Sequence, residues 1–155
     1  MKRNIEQYMD CLEKRLGTLR LVAEELKDAR EAFTKLDLDA IYEHIDRQQG
    51  FCAEMRSLDR ELRLLEKKLA VEFELESAGA GRTLSERLDP ASAERLRLLR
   101  AALKAVQAEV RRLARVHAAL LRRSRYTLNI LSNFLGSRTG LYQPPVMASP
   151  VGSGK

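Results

Sequence analysis

Between Leu96 and Leu131 the chain repeats itself every three or four residues. Leu96, Leu99, Leu103, Val106, Val110 and Leu113 alternate strictly, and His117, Leu120, Ser124, Thr127 and Leu131 continue the register. An α-helix is the structure that places such a spacing on one face, and a seam this long needs further helices alongside to bury it. The seam turns more polar after Leu113, while a second stripe, Leu121, Leu128 and Leu135, opens beside it.

The rest of the chain obeys the same period. Ile5, Tyr8, Leu12, Leu16, Leu19, Ala23, Leu26 and Phe33 mark a first helix, and Ile41, Ile45, Cys52, Met55, Leu58, Leu62, Leu65, Leu69 and Phe73 mark a second. Asp37 fits the N-cap of the second helix, and Asp89-Pro90 reads as a cap followed by the first helical residue of the third. The spacing predicts helices over about 3–35, 38–77 and 90–135. A mobile linker at 77–83, with Gly79 and Gly81, separates the second from the third, and a turn of helix is possible at 84–88. Gly136 is a fitting stop, and the tail 141–155 lacks periodicity and reads as disordered. With no Trp and eight Phe and Tyr together, a sandwich or barrel is disfavoured. The expected fold class is all-α: an elongated antiparallel three-helix coiled-coil-like bundle, with residues 1–140 as one domain. Pairing of the third helix between two chains, as a homodimer, has similar sequence support.

An αα-hairpin pivoting near residues 36–38 sets opposite each other residues whose numbers sum to about 74. Cys11 then faces the region of Arg63, and Cys52 lies roughly 16 Å from it along the axis, beyond disulfide reach. Both cysteines read as small core residues. Gly17 and Gly50, inside predicted helices, suggest close helix approach or a kink.

Enzyme chemistry has little to work with. Ile41 and Ala114 stand three residues before His44 and His117, so the Glu-x-x-His pair of helical di-iron sites is missing. Two distant cysteines and two distant histidines make no zinc spacing, and no phosphate loop is present. His117 falls on the seam as a core or interface histidine; His44 reads as surface. No catalytic residue, metal or cofactor is expected. No apolar run is long enough to span a membrane, and Glu6, Asp10 and Glu13 interrupt any signal-peptide core, so a cytoplasmic protein is expected.

Charge divides the chain. Residues 1–78 carry 14 basic and 18 acidic side chains, a net of −4; residues 79–155 carry 14 and 4, a net of +10. Packed helices of opposite charge explain this, as does an acidic or phosphate-bearing partner. Arg97, Arg100, Lys104, Arg111, Arg112, Arg115, Arg122 and Arg125 flank or oppose the seam as a solvated outer arc. No aromatics alternate with them to stack bases, which argues against nucleic acid.

Two stretches resemble the FlgN family of flagellar type III export chaperones. One is the hairpin from Ala29 to Gln49, with its acidic turn Leu36-Asp-Leu-Asp and restart. The other runs from Val116 to Leu135, with the pair Leu120-Leu121, and is followed by Tyr142. His117 stands where the family usually has Asn, and Gln-Pro-Pro follows Tyr142 in place of the usual small residue and Gly. The resemblance implies binding of the hook–filament junction proteins FlgK and FlgL, protection of a helical terminus from polymerising, and delivery to the export gate protein FlhA. On this reading Leu120, Leu121, Leu128, Leu131, Phe134 and Leu135 form the client surface, with Leu141 and Tyr142 docking on the gate. A structural coiled-coil adaptor and, further off, a nucleic-acid-binding helical protein are the alternatives.

Overall fold

A computed structural model describes residues 2–75 and 80–139; the side chains of 80–83, 128, 132 and 134–139 lie outside that description. Four helices follow one another: α1 Lys2–Lys35, α2 Leu38–Glu72, α3 Ala80–Arg87 and α4 Pro90–Thr139. Helix α3 occupies part of the stretch read as a linker, and α4 continues through Gly136. The expected tail after residue 140 lies outside the described residues.

The helix ends have local causes. Asp37 accepts a hydrogen bond from the Ala40 amide at 3.2 Å, and Asp89 accepts one from the Ser92 amide at 3.0 Å, each satisfying an orphan donor of a first turn. Helix α1 closes with Leu36 in the left-handed region (φ 52°), where the Asp37 amide reaches back to Ala32 O and the Leu36 amide to Phe33 O. Helix α2 ends the same way around Glu74 (φ 50°), with Leu75 bonded to Ala70 O and Glu74 to Val71 O. Both stops use side-chain-bearing residues where glycine is usual.

Helix α1 is the shared wall of the bundle: α2 and α4 each pack along it, and α3 leans on α4. Its buried residues form adjoining stripes. Cys11, Thr18, Glu25 and Ala32, seven apart, are buried on the side of α2. Cys11 Sγ lies 3.9 Å from Leu58 O, and Thr18 donates to Glu54 at 3.0 Å. Arg15 with Asp59, and Tyr8 with Glu66, hold the same antiparallel register, each pair summing to the expected 74. On another side, Asp10 and Glu13 meet Arg95 near one end of α1, and Phe33 meets His117 near the other, so α4 runs parallel to α1. The main apolar cluster joins Leu12, Leu16 and Leu19 to Leu62, Leu65 and Leu69 of α2 and Leu96, Leu99 and Leu103 of α4. A smaller one at the hairpin end comprises Ala29, Ala32, Phe33 and Ile41, with Leu120 against it.

Three expectations need correction. Cys11 is buried, but Cys52 is exposed, because α2 turns that side away from α1. His44 is not a surface residue; it reaches inward to Glu25. Gly17 and Gly50 mark no close approach, since a Cβ at either would meet nothing within 4 Å. Replacing each with Ala removes backbone freedom from the unfolded chain at no steric cost. Gly17→Ala and Gly50→Ala should each raise stability by about 1 kcal/mol in urea unfolding; a loss would show that the helices need glycine there.

Candidate functional site

The hairpin formed by α1 and α2 ends at Leu36, whereas α4 does not. The groove beside the turn is lined by Phe33, Thr34 and Leu36 from the hairpin and by Leu120, Arg123, Ser124 and Thr127 from α4. The twelve residues of α4 after Thr127 extend about 18 Å further at 1.5 Å per residue. The seam that α1 covers up to this level therefore runs on without α1 beneath it.

The sequence-predicted residues divide accordingly. Leu120 is half-buried against the small cluster and belongs to the end of the bundle. Leu121 is 40 % exposed and Leu131 46 % exposed. Leu128, Phe134 and Leu135 lie on α4, but their side chains are outside the described residues, as are Leu141 and Tyr142 altogether. Sequence reasoning missed two neighbours, Tyr126 (68 % exposed) and Ile130 (49 %), which fall off the heptad and were invisible to a search for seam positions.

Just below the turn the core contains a polar group of residues. Glu25, with its side chain 5 % exposed, lies 2.5 Å from Nδ1 of His44 and 3.5 Å from Nη1 of Arg47. An ionised carboxylate only accepts, so Nδ1 of His44 is the donor when Glu25 is charged. His117 of α4 is buried, stacks edge-on against Phe33 with ring centroids 4.9 Å apart, and its Nδ1 has no hydrogen-bond partner among the described residues. It is the core histidine that its seam position implies. Burial pushes its pKa below the ordinary value; Glu25 opposes that shift and His44 adds to it. Further along α1, burial raises the Tyr8 hydroxyl, which lies between Glu66 of α2 and Arg100 of α4.

The arginine-rich face of α4 is largely solvated, as expected, except that Arg100 is half-buried beside Tyr8. Arg95 reaches across to Asp10 and Glu13, whereas Arg97 and Arg112 pair with Glu94 and Glu109 of their own helix. Among the described residues no group of three or more His, Cys, Asp or Glu could hold a metal ion, and no helix is long and apolar enough to cross a membrane.

Helix α4 thus outruns the hairpin with Leu121, Ile130 and Leu131 exposed. The sequence model of the FlgN family, described as FlgN protein, matches residues 1–148, and the chain belongs to that family of flagellar export chaperones. No curated protein and no solved structure matches it.

The histidine core makes stability pH-dependent in a defined direction. With a folded pKa below the unfolded value of 6.5, His117 takes up its proton more readily when unfolded, so stability rises with pH through the window below 6.5 and levels off above it. Urea midpoints at about pH 5.5 and 7.5, on either side of the ordinary histidine pKa, should show wild type losing more on acidification than His117→Leu. Equal losses would contradict the burial of a neutral ring.

Proposed function

We propose that this chain is a cytoplasmic chaperone that holds the C-terminal helix of hook–filament junction proteins of the FlgK and FlgL type, prevents their premature polymerisation, and delivers them to FlhA at the export gate. The observation that carries the proposal is the continuation of the α4 seam beyond the helix that covers it, with Leu121 and Leu131 exposed. An amphipathic client helix laid on this strip, through Leu121, Leu128, Leu131, Phe134 and Leu135, completes the packing that α1 provides lower down. The same apolar surface that the client uses to polymerise is then occupied. Leu120, at the boundary, ties the strip to the rigid end of the bundle.

Gate docking is assigned to Leu141 and Tyr142, beyond the client strip. A tyrosine brings a large contact area with few rotatable bonds to order, which suits an anchor. Separate sites for client and gate allow one chaperone to hold both during hand-over.

One experiment with two readouts tests this. Leu128→Asp/Leu131→Asp should abolish capture of the hook-junction C-terminal segment, with helix content by circular dichroism near wild type. Tyr142→Ala should leave capture intact and lose binding to the FlhA cytoplasmic domain. Unfolding of the Asp variant would place the strip in the core, because burying an unpaired charge costs several kcal/mol. Unchanged binding in both assays would sink the proposal.

A further inference from the structure

The carboxylate side chains of this chain stop at Glu109. From Val110 to Thr139, α4 carries seven arginines and no Asp or Glu. Upstream, Arg95 finds acids on α1 and Arg97 and Arg112 on their own helix, while Arg111 and Arg115 stand on its solvated arc without an ion pair among the described residues. Arg122, Arg123 and Arg125 are exposed and form no ion pair among the described residues. The bundle does not use their charge.

Their positions relate them to the uncovered strip. Residues four apart are neighbours on a helix surface, so Arg125 stands beside Leu121 along one edge of the strip. Arg123 stands beside Thr127 along the other edge, and it lines the groove with Thr34, Leu36 and Leu120. The apolar strip thus leaves the bundle between two guanidinium groups that form no ion pair among the described residues. Phosphate backbone would use the arginines but leave the strip between them exposed, and among the described exposed residues of this region only Tyr126 offers a ring for a base to stack on. A helix with an apolar face bordered by carboxylates would cover the strip and pair both arginines together.

We infer that the end of α4 selects an acidic amphipathic helix, its apolar face on Leu121 and Leu131 and its flanking Asp or Glu side chains against Arg123 and Arg125. This rests on the client surface proposed above and adds the chemistry of its occupant. The strip supplies the part of binding that salt leaves alone, while the arginines reject helices flanked by Lys or Arg.

The test uses two synthetic amphipathic helices with the same leucine face, one flanked by Glu and one by Lys. Wild-type protein should bind the Glu-flanked helix at least about tenfold more tightly, since like charges brought together at an interface are strongly disfavoured. Arg123→Glu/Arg125→Glu should reverse that preference. Lys67→Glu/Lys68→Glu, an equal change of charge on the exposed face of α2, should leave it in place. Equal affinity for the two helices, binding of neither, or the same reversal in the α2 variant would overturn the inference. So would tighter binding of a single-stranded oligonucleotide, or a self-associated protein in which a second copy closes the strip. Preference for the Glu-flanked helix without capture of a hook-junction segment would leave the inference standing and remove the client reading alone.

Discussion

Burial of α1 against two helices is the constraint on which the rest of this structure depends. A helix with one neighbour needs a single apolar stripe; a helix with two needs its polar side chains satisfied on a much wider surface. Helix α1 manages this with Tyr8, Thr18 and Glu25, each bonded to a residue of α2. Glu25 is the most deeply placed carboxylate of these contacts. A carboxylate with 5 % exposure is tolerable only with partners, and removing one side of a buried pair typically costs about 3–5 kcal/mol. His44 and Arg47 therefore fix where α2 lies, and His117 completes the same layer from α4.

Because α1 is the cover, its length determines what is left uncovered. It has 34 residues against 50 in α4, and the two run parallel from nearly the same level. The excess emerges at one end only, beyond the hairpin turn. Below the turn α4 is a bundle helix whose Arg95, Arg97 and Arg112 are paired to acids; above it, Leu121 and Leu131 are exposed, and Arg123 and Arg125 form no ion pair among the described residues. The covered and uncovered parts belong to one helix without a break, so a client bound to the overhang, as proposed, would be held by an element rooted in the core.

Much of this was legible in the sequence. The three long helices follow from the leucine spacing, the starts of α2 and α4 from Asp37 and Asp89, and the hairpin register from its pivot. The second stripe of α1 was harder to see, because Thr18 and Glu25, unlike Cys11, do not read as core until their partners on α2 are known. The stops at Leu36 and Glu74 lack the glycine that usually signals a left-handed residue, and α4 passes through a glycine that looked like a stop. The strip from Leu120 to Leu135 could be listed from periodicity. Its division into a packed Leu120 and exposed Leu121 and Leu131 depends on where α1 ends relative to α4, which is a tertiary quantity.

Amide hydrogen exchange on the full chain, with and without the C-terminal segment of a hook-junction protein, tests the central claim most directly. A helix end without tertiary cover opens easily, whereas a packed seam does not. The account predicts fast exchange at residues 128–139 in the free protein, marked slowing there when the segment is added, and little change along the α1–α2 hairpin. Slowing confined to the hairpin, with residues 128–139 unchanged, would contradict it.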